Sequence, residues 1–172
     1  MIYDIPTKGE DGLYHVRAFT DERKRIFIQL NDVRIVETAE QDLTFEPADF
    51  SKIDEIHDVN VQNAIENGES WFGRKLADKT IKTAYIRDDT ISAERIPNTK
   101  VFSYDREMVE FDAVEAGSQC SIVVEFSGLW FAKKAFGPAW NIVQVRLGKP
   151  DQPDQETFDE TYPDDYMFED DQ

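Results

Sequence analysis

The residues of this chain able to do chemistry are aromatic and basic, and they fall in two blocks. Trp71-Phe72-Gly73-Arg74-Lys75 is the first; Trp130-Phe131, Lys133-Lys134, Phe136, Trp140 and Arg146 make up the second. A single-stranded nucleic acid offers phosphate charge and open base faces. A protein that holds it without reading sequence needs cations beside stacking surfaces. Each stacked base contributes about 1–3 kcal/mol, so two or three aromatics suffice. On this reading Trp130, Phe131, Phe136 and Trp140 are stacking candidates, and Lys133, Lys134, Arg146, Arg74 and Lys75 are phosphate contacts. Large aromatics are mostly buried, and core packing is the weightier reading for Trp71, with a ligand-facing position left open. Trp140 is read as sharing one strand face with Gln144 and Arg146, and is expected at the surface.

Catalytic chemistry finds less support. There is no glycine-rich phosphate loop with lysine, no His-Glu-x-x-His and no paired Cys-x-x-Cys. His15 and His57 lie in different elements, and Cys120 opens a strand as a small buried apolar group. Acid pairs such as Asp88-Asp89 and Asp164-Asp165 read as solvated turn and tail. The expectation is a protein that is not an enzyme, with no catalytic residues, no metal and no cofactor.

The elements that must position the aromatic and basic residues are mostly strands. Residues 14–19 and 25–36 are rich in β-branched and aromatic types, with Asn31-Asp32 a turn or bulge. Residues 51–67 follow helical spacing, with Ser51 and Asp54 as an N-cap signal and Gly68 past the end; a second helix fits 76–86. Residues 95–103 look extended. Residues 120–131 and 139–147 form a hairpin around a Gly- and Pro-containing turn, 132–138.

Charge divides the chain. Of 36 acids and 19 bases, residues 151–172 hold ten acids and no base, so the net charge of −17 belongs largely to a tail. That tail also carries Phe158, Tyr162, Tyr166 and Phe168, read as partner-binding aromatics in a disordered acidic segment. Residues 1–150 are read as one domain. A lone cysteine fits a reducing compartment, and no secretory signal or membrane-spanning run is visible, so an intracellular protein with no membrane partner is expected.

Glu66–Leu76, Gly128-Leu-Trp-Phe131 and Phe136-Gly-Pro-Ala-Trp140-Asn-Ile-Val-Gln-Val-Arg146 resemble a family of nucleocytoplasmic large DNA viruses, whose members are OB-fold single-stranded-DNA-binding proteins. The resemblance covers roughly residues 50–148. It implies a mainly β, OB-fold-like barrel with a helical insert at about 51–86, which would cover the barrel or form a dimer contact in a homo-oligomer. It implies single-stranded DNA as ligand, a role in DNA replication, recombination or repair, and a location in the cytoplasm or nucleus of an infected cell. The tail resembles those with which phage and bacterial single-stranded-DNA-binding proteins recruit replication partners, although Phe168 stands four residues short of Gln172. Two other readings fit the residues: an acidic interaction protein or DNA mimic that binds basic partners, and an RNA-binding module.

Overall fold

Apolar residues at alternate positions drive the longest segments into strands with one buried face. The structure, a computed structural model, describes residues 1–148. The expectations for 151–172, including Phe158, Tyr162, Tyr166 and Phe168, lie outside the described residues. In chain order the elements are β1 (Ile2–Tyr3), β2 (Thr7–Lys8), β3 (Tyr14–Phe19), β4 (Ile26–Thr38), β5 (Asp42–Pro47), α1 (Ser51–Glu66), α2 (Gly68–Phe72), α3 (Asp78–Ala84), β6 (Ile91–Phe102), β7 (Met108–Val109), β8 (Gln119–Phe131) and β9 (Phe136–Leu147). Among the described residues no helix is long and apolar enough to cross a membrane.

Five strands close on themselves. β4 pairs antiparallel with β5, β5 with β6, β9 with β8 and β8 with β4, while β6 pairs parallel with β9. This is the connectivity of an OB-fold barrel, and the protein is mainly β with a helical insert, as expected. Ile28, Leu30, Val33, Ile35, Leu43, Phe45, Ile122, Val124, Phe126, Ile142 and Val145 fill its interior. β4 bulges at Asn31-Asp32, where its register on β8 shifts between Leu30 and Val33. β3 stands outside the ring. It continues the β4 edge of β8, pairing Tyr14–Arg17 with Phe131–Gly128, and carries β1 and β2 on its far side. At the crossover Gly128 has φ +140°, and a Cβ there would meet the Val16 carbonyl oxygen at 1.9 Å.

The β8–β9 turn is shorter than the sequence suggests. Only Ala132–Ala135 turn, closed by the Ala132 N–H donating to the Ala135 carbonyl at 2.8 Å. Gly137 and Pro138 already lie inside β9, opposite Trp130 and Leu129. The glycine is needed for packing: a Cβ on it would come within 3.1 Å of the Trp130 ring and 3.2 Å of Ile86.

Between β5 and β6 the chain makes its three helices. α1 buries Ile53, Ile56, His57, Asn60 and Ala64, one face at helical spacing. Its start differs from the expected Ser51 cap: the Ser51 N–H donates to Asp49 Oδ1 at 2.9 Å. Nor does Gly68 stop the helical run; it begins α2, which Gly73 closes at φ +77°. Ile53, Ile56, Ala64, Trp71 and Ile81 join the same core as the barrel, so the insert covers the barrel.

A directed chain of hydrogen bonds fastens α1 within this core. Tyr3 Oη donates to Asn60 Oδ1 (2.6 Å), and Asn60 Nδ2 donates to Tyr85 Oη (2.9 Å). Tyr85 Oη in turn lies 2.6 Å from His57 Nδ1. Tyr85 Oη can give its proton to Nδ1 or accept one from it, so the contact suits either neutral tautomer of the imidazole. Burial, helped by the Arg87 guanidinium, holds the His57 pKa below the usual imidazole value. The unfolded chain therefore takes up the proton first. The network's contribution to stability is complete above about pH 6.5 and declines as pH falls below it. Urea melts at pH 7.5 and 5.5 test this: the drop will be smaller in His57→Gln than in the parent.

Candidate nucleic-acid interface

Outward-facing residues of β4, β8, β9 and β6 line up in rows set by the strand register. One row runs Phe27, Glu125, Asn141, Glu94; the next runs Gln29, Val123, Gln144, Lys100; a third runs Ser121, Arg146, Phe102. The first row is structurally committed. Glu125 is buried, with Arg25 Nη1 at 3.0 Å from Oε2 and Asn141 Nδ2 donating to Oε1 at 3.3 Å.

The other two rows, Lys100 apart, form the floor of a groove of about 310 Å³, lined by Gln29, Phe102, Ser121, Val123, Gln144 and Arg146, with Arg106 entering from the β6–β7 turn. Among the described residues it holds two arginines and no carboxylate. Four other concavities on the described surface each carry at least one carboxylate. Among the described residues, Arg106, Arg146 and Lys100 have no ion-pair partner. Tyr104, 49% exposed, lines the adjoining concavity with Asn31, Ser121 and Arg146, and Phe27, 56% exposed, stands farther along β4. The groove thus presents fixed positive charge, side-chain amides and aromatic faces together, the combination that single-stranded nucleic acid requires.

Of the residues anticipated from sequence, only Arg146 lies here. Trp140 is a correction. Val143 is an extra residue in β9, because Val124 pairs with Ile142 while Val123 pairs with Gln144. A bulge inverts the side-chain alternation beyond it. Trp140 and Ile142 therefore face the core together with Val145, and Gln144 and Arg146 face out. Trp140 packs on Phe126 at 5.3 Å between ring centroids.

Phe131 and Phe136 are corrected likewise. They are buried, stacked on each other at 5.3 Å, and Phe72 closes edge-on over both. Trp71 lies in the same cluster, against Tyr3 and Phe131, which settles it as core. Trp130 is half-buried over Gly137. Lys133 and Lys134 are exposed in the β8–β9 turn, and Arg74 and Lys75 are exposed just after Phe72, so these four cations gather at one end of the barrel. Arg146 sits near the other end of β9. Ten residues separate it from Phe136, or about 33 Å of strand.

Phe27, Phe102, Tyr104 and Arg106 escaped the sequence reading. Phe27 had a signal: it shares its parity with Gln29, while Ile28 and Leu30 point inward. Phe102-Ser-Tyr-Asp-Arg106 has the same aromatic–basic character as Trp71–Lys75.

The groups considered for chemistry are otherwise engaged. Burial pushes the Cys120 thiol up to about 11, leaving it protonated in the core. His57 belongs to the buried network, and His15, on β3, has Nε2 3.1 Å from Asp11 Oδ2 in the loop that precedes it. Among the described residues no three His, Cys, Asp or Glu side chains converge to hold a metal ion.

The fold is similar to that of the single-stranded DNA-binding protein from bacteriophage Enc34. In its complex with single-stranded DNA that protein is 17% identical, with a TM-score of 0.50 over 87% of this chain and 97% of that chain. Its C-terminal truncation gives 18% identity and 0.51 over 87% and 95%, and a further structure of it gives 17% and 0.50 over 89% and 93%. At such identity the likeness is one of fold. No curated protein matches the sequence. A sequence model spanning β4 through β9 and beyond matches residues 31–170, and by that match the chain belongs to the family of unknown function DUF5871.

Proposed function

We propose that this chain binds single-stranded DNA, without strong sequence preference and without catalysis, along the outer face of β4, β8 and β9. The observation that carries this reading is the carboxylate-free groove with Arg106 and Arg146, on a chain whose net charge is −17. In an acidic protein, a concavity lined by arginines and free of described acids favours an anion. The OB-type barrel supports the same reading, since such barrels hold oligonucleotides on a strand face. Phe102, Tyr104 and Phe27 supply stacking faces, and Arg146, Arg106 and Lys100 take phosphates.

Lys133, Lys134, Arg74 and Lys75 serve as a second set of phosphate contacts for longer strands. Ten residues of β9, at most about 33 Å of strand, lie between Phe136 and Arg146, a reach that a single strand of about ten nucleotides at stacked spacing can span. The biological setting proposed is replication, recombination or repair of viral DNA, on the resemblance carried by Glu66–Leu76, Gly128–Phe131 and Phe136–Arg146. The acidic segment 151–172 regulates binding or recruits replication partners through Phe158, Tyr162, Tyr166 and Phe168.

Fluorescence anisotropy with labelled oligo-dT at low and physiological salt tests the proposal. Arg146→Ala will weaken binding about tenfold and make the salt slope shallower by about 0.7, the value for one single-strand phosphate contact. Lys133→Ala with Lys134→Ala will weaken binding to a 30-mer and leave an 8-mer unaffected. Competition with oligo-rU separates DNA from RNA preference. Removal of 151–172 will raise affinity if the tail competes as a polyanion. Absence of binding at low salt would overturn the reading in favour of an acidic interaction protein.

A further inference from the structure

Among the described residues two that are not glycine adopt left-handed backbone conformations, Arg23 at φ +62° and Arg106 at φ +73°. Glycine takes that conformation freely, and asparagine and aspartate are next best; a long side chain there is unusual. For Arg23 the molecule supplies the reason. Its guanidinium lies 5.3 Å from the centroid of the Phe19 ring and 3.2 Å from Asp4 Oδ1. The strained turn between β3 and β4 thus aims an arginine at partners that hold it.

Arg106 sits in an equally well-built turn. The Ser103 N–H donates to the Glu107 carbonyl (2.7 Å), the Arg106 N–H to the Ser103 carbonyl (2.9 Å) and the Glu107 N–H to Ser103 Oγ (3.2 Å), while Ser103 Oγ also bonds Asp105. Yet among the described residues the Arg106 side chain has no carboxylate, no hydrogen-bond acceptor and no aromatic ring as partner. What it does have is a place on the wall of the groove whose floor carries Arg146. Strain held at a position whose side chain has no internal partner points to an external one.

We propose that the β6–β7 turn keeps its strained form to set Arg106 beside Arg146 as a two-arginine clamp on one phosphodiester of the bound strand. The inference rests on the single-strand-binding reading and deepens it: it names the ligand group and the backbone device that meets it. Guanidinium forks match phosphate oxygens in bidentate geometry, and two of them on one phosphate fix the register of the strand in the groove.

Arg106→Gly tests it in the full chain, because this variant relieves the turn while deleting the clamp. Its Tm will rise by about 2–4 °C. Its affinity for oligo-dT will fall about tenfold, with the salt slope shallower by about 0.7. Arg106→Ala keeps the strain, so it will show the same loss of affinity without the gain in Tm. Arg23→Gly, a control for turn strain away from the groove, will leave affinity unchanged. If Arg106→Gly binds with parental affinity and slope, the clamp is overturned while the broader reading stands. If the parent itself fails to bind at low salt, the broader reading falls.

Discussion

Trp140→Ala will cost about 3–5 kcal/mol of stability and lower Tm by about 10–15 °C, while affinity for oligo-dT measured well below Tm changes by less than about twofold. The reason is the extra residue at Val143. It turns Trp140 inward, 4% exposed, onto the fully buried Phe126 directly across the β8–β9 ladder. Truncation leaves a cavity the size of an indole between two paired strands, which cannot close up without breaking their register. Denaturant melts and anisotropy on the same preparation read both quantities. Loss of affinity at unchanged stability would put Trp140 back on the surface and contradict the bulge.

Gly128→Ala will be as damaging or worse, at more than about 4 kcal/mol. The added methyl would stand 1.9 Å from the Val16 carbonyl oxygen and 2.9 Å from the Arg17 Cα, both backbone atoms, at a φ of +140°. A side chain could swing aside; a paired strand cannot. β3 must therefore leave β8, taking β1 and β2 with it, because both hang on β3. Hydrogen exchange will show the amides that β3 gives to β8 losing protection, with protection kept in β4 and β9. Gly137→Ala is the comparison: its close neighbours, in Trp130 and Ile86, stand at 3.1 and 3.2 Å and need give by only a few tenths of an ångström, so its cost will be smaller. Near-parental stability of Gly128→Ala would refute the close approach of β3.

The contrast between Phe131 and Phe102 shows what sequence could and could not convey. Strand location was legible wherever apolar residues alternate: 14–19, 25–36, 120–131 and 139–147 correspond to β3, β4, β8 and β9. The helix at 51–67 matches α1 and the extended 95–103 overlaps β6. β5 was passed over, since Asp42-Leu-Thr-Phe-Glu-Pro47 is short and ends in a proline that usually marks a strand edge. Facing was the harder quantity. Side-chain direction depends on a count of residues modulo two, and one inserted residue reverses it, as Val143 does for Trp140. Residue type then misleads: the conspicuous aromatics Phe131, Phe136 and Trp140 fill the core, and the less conspicuous Phe27 and Tyr104 reach solvent. Arg106 was hidden for another reason. Its position in the groove depends on a left-handed turn that no residue type in Ser103–Glu107 announces.

β8 is the partner of β3, β4 and β9 alike. On a ribosome, the meander of β4, β5 and β6 can zip as it emerges, since each strand meets its neighbour in order. β3 cannot. Its partner residues Gly128–Phe131 follow it by more than a hundred positions, about 5–20 s of synthesis at common elongation rates. Throughout that interval Val16 and Ala18 have no core to enter, and the barrel stays open until β9 arrives to seal β6. The nascent chain thus carries an unsatisfied strand edge throughout that interval, and β3 is the segment on which a holdase or a premature intermolecular pairing would act.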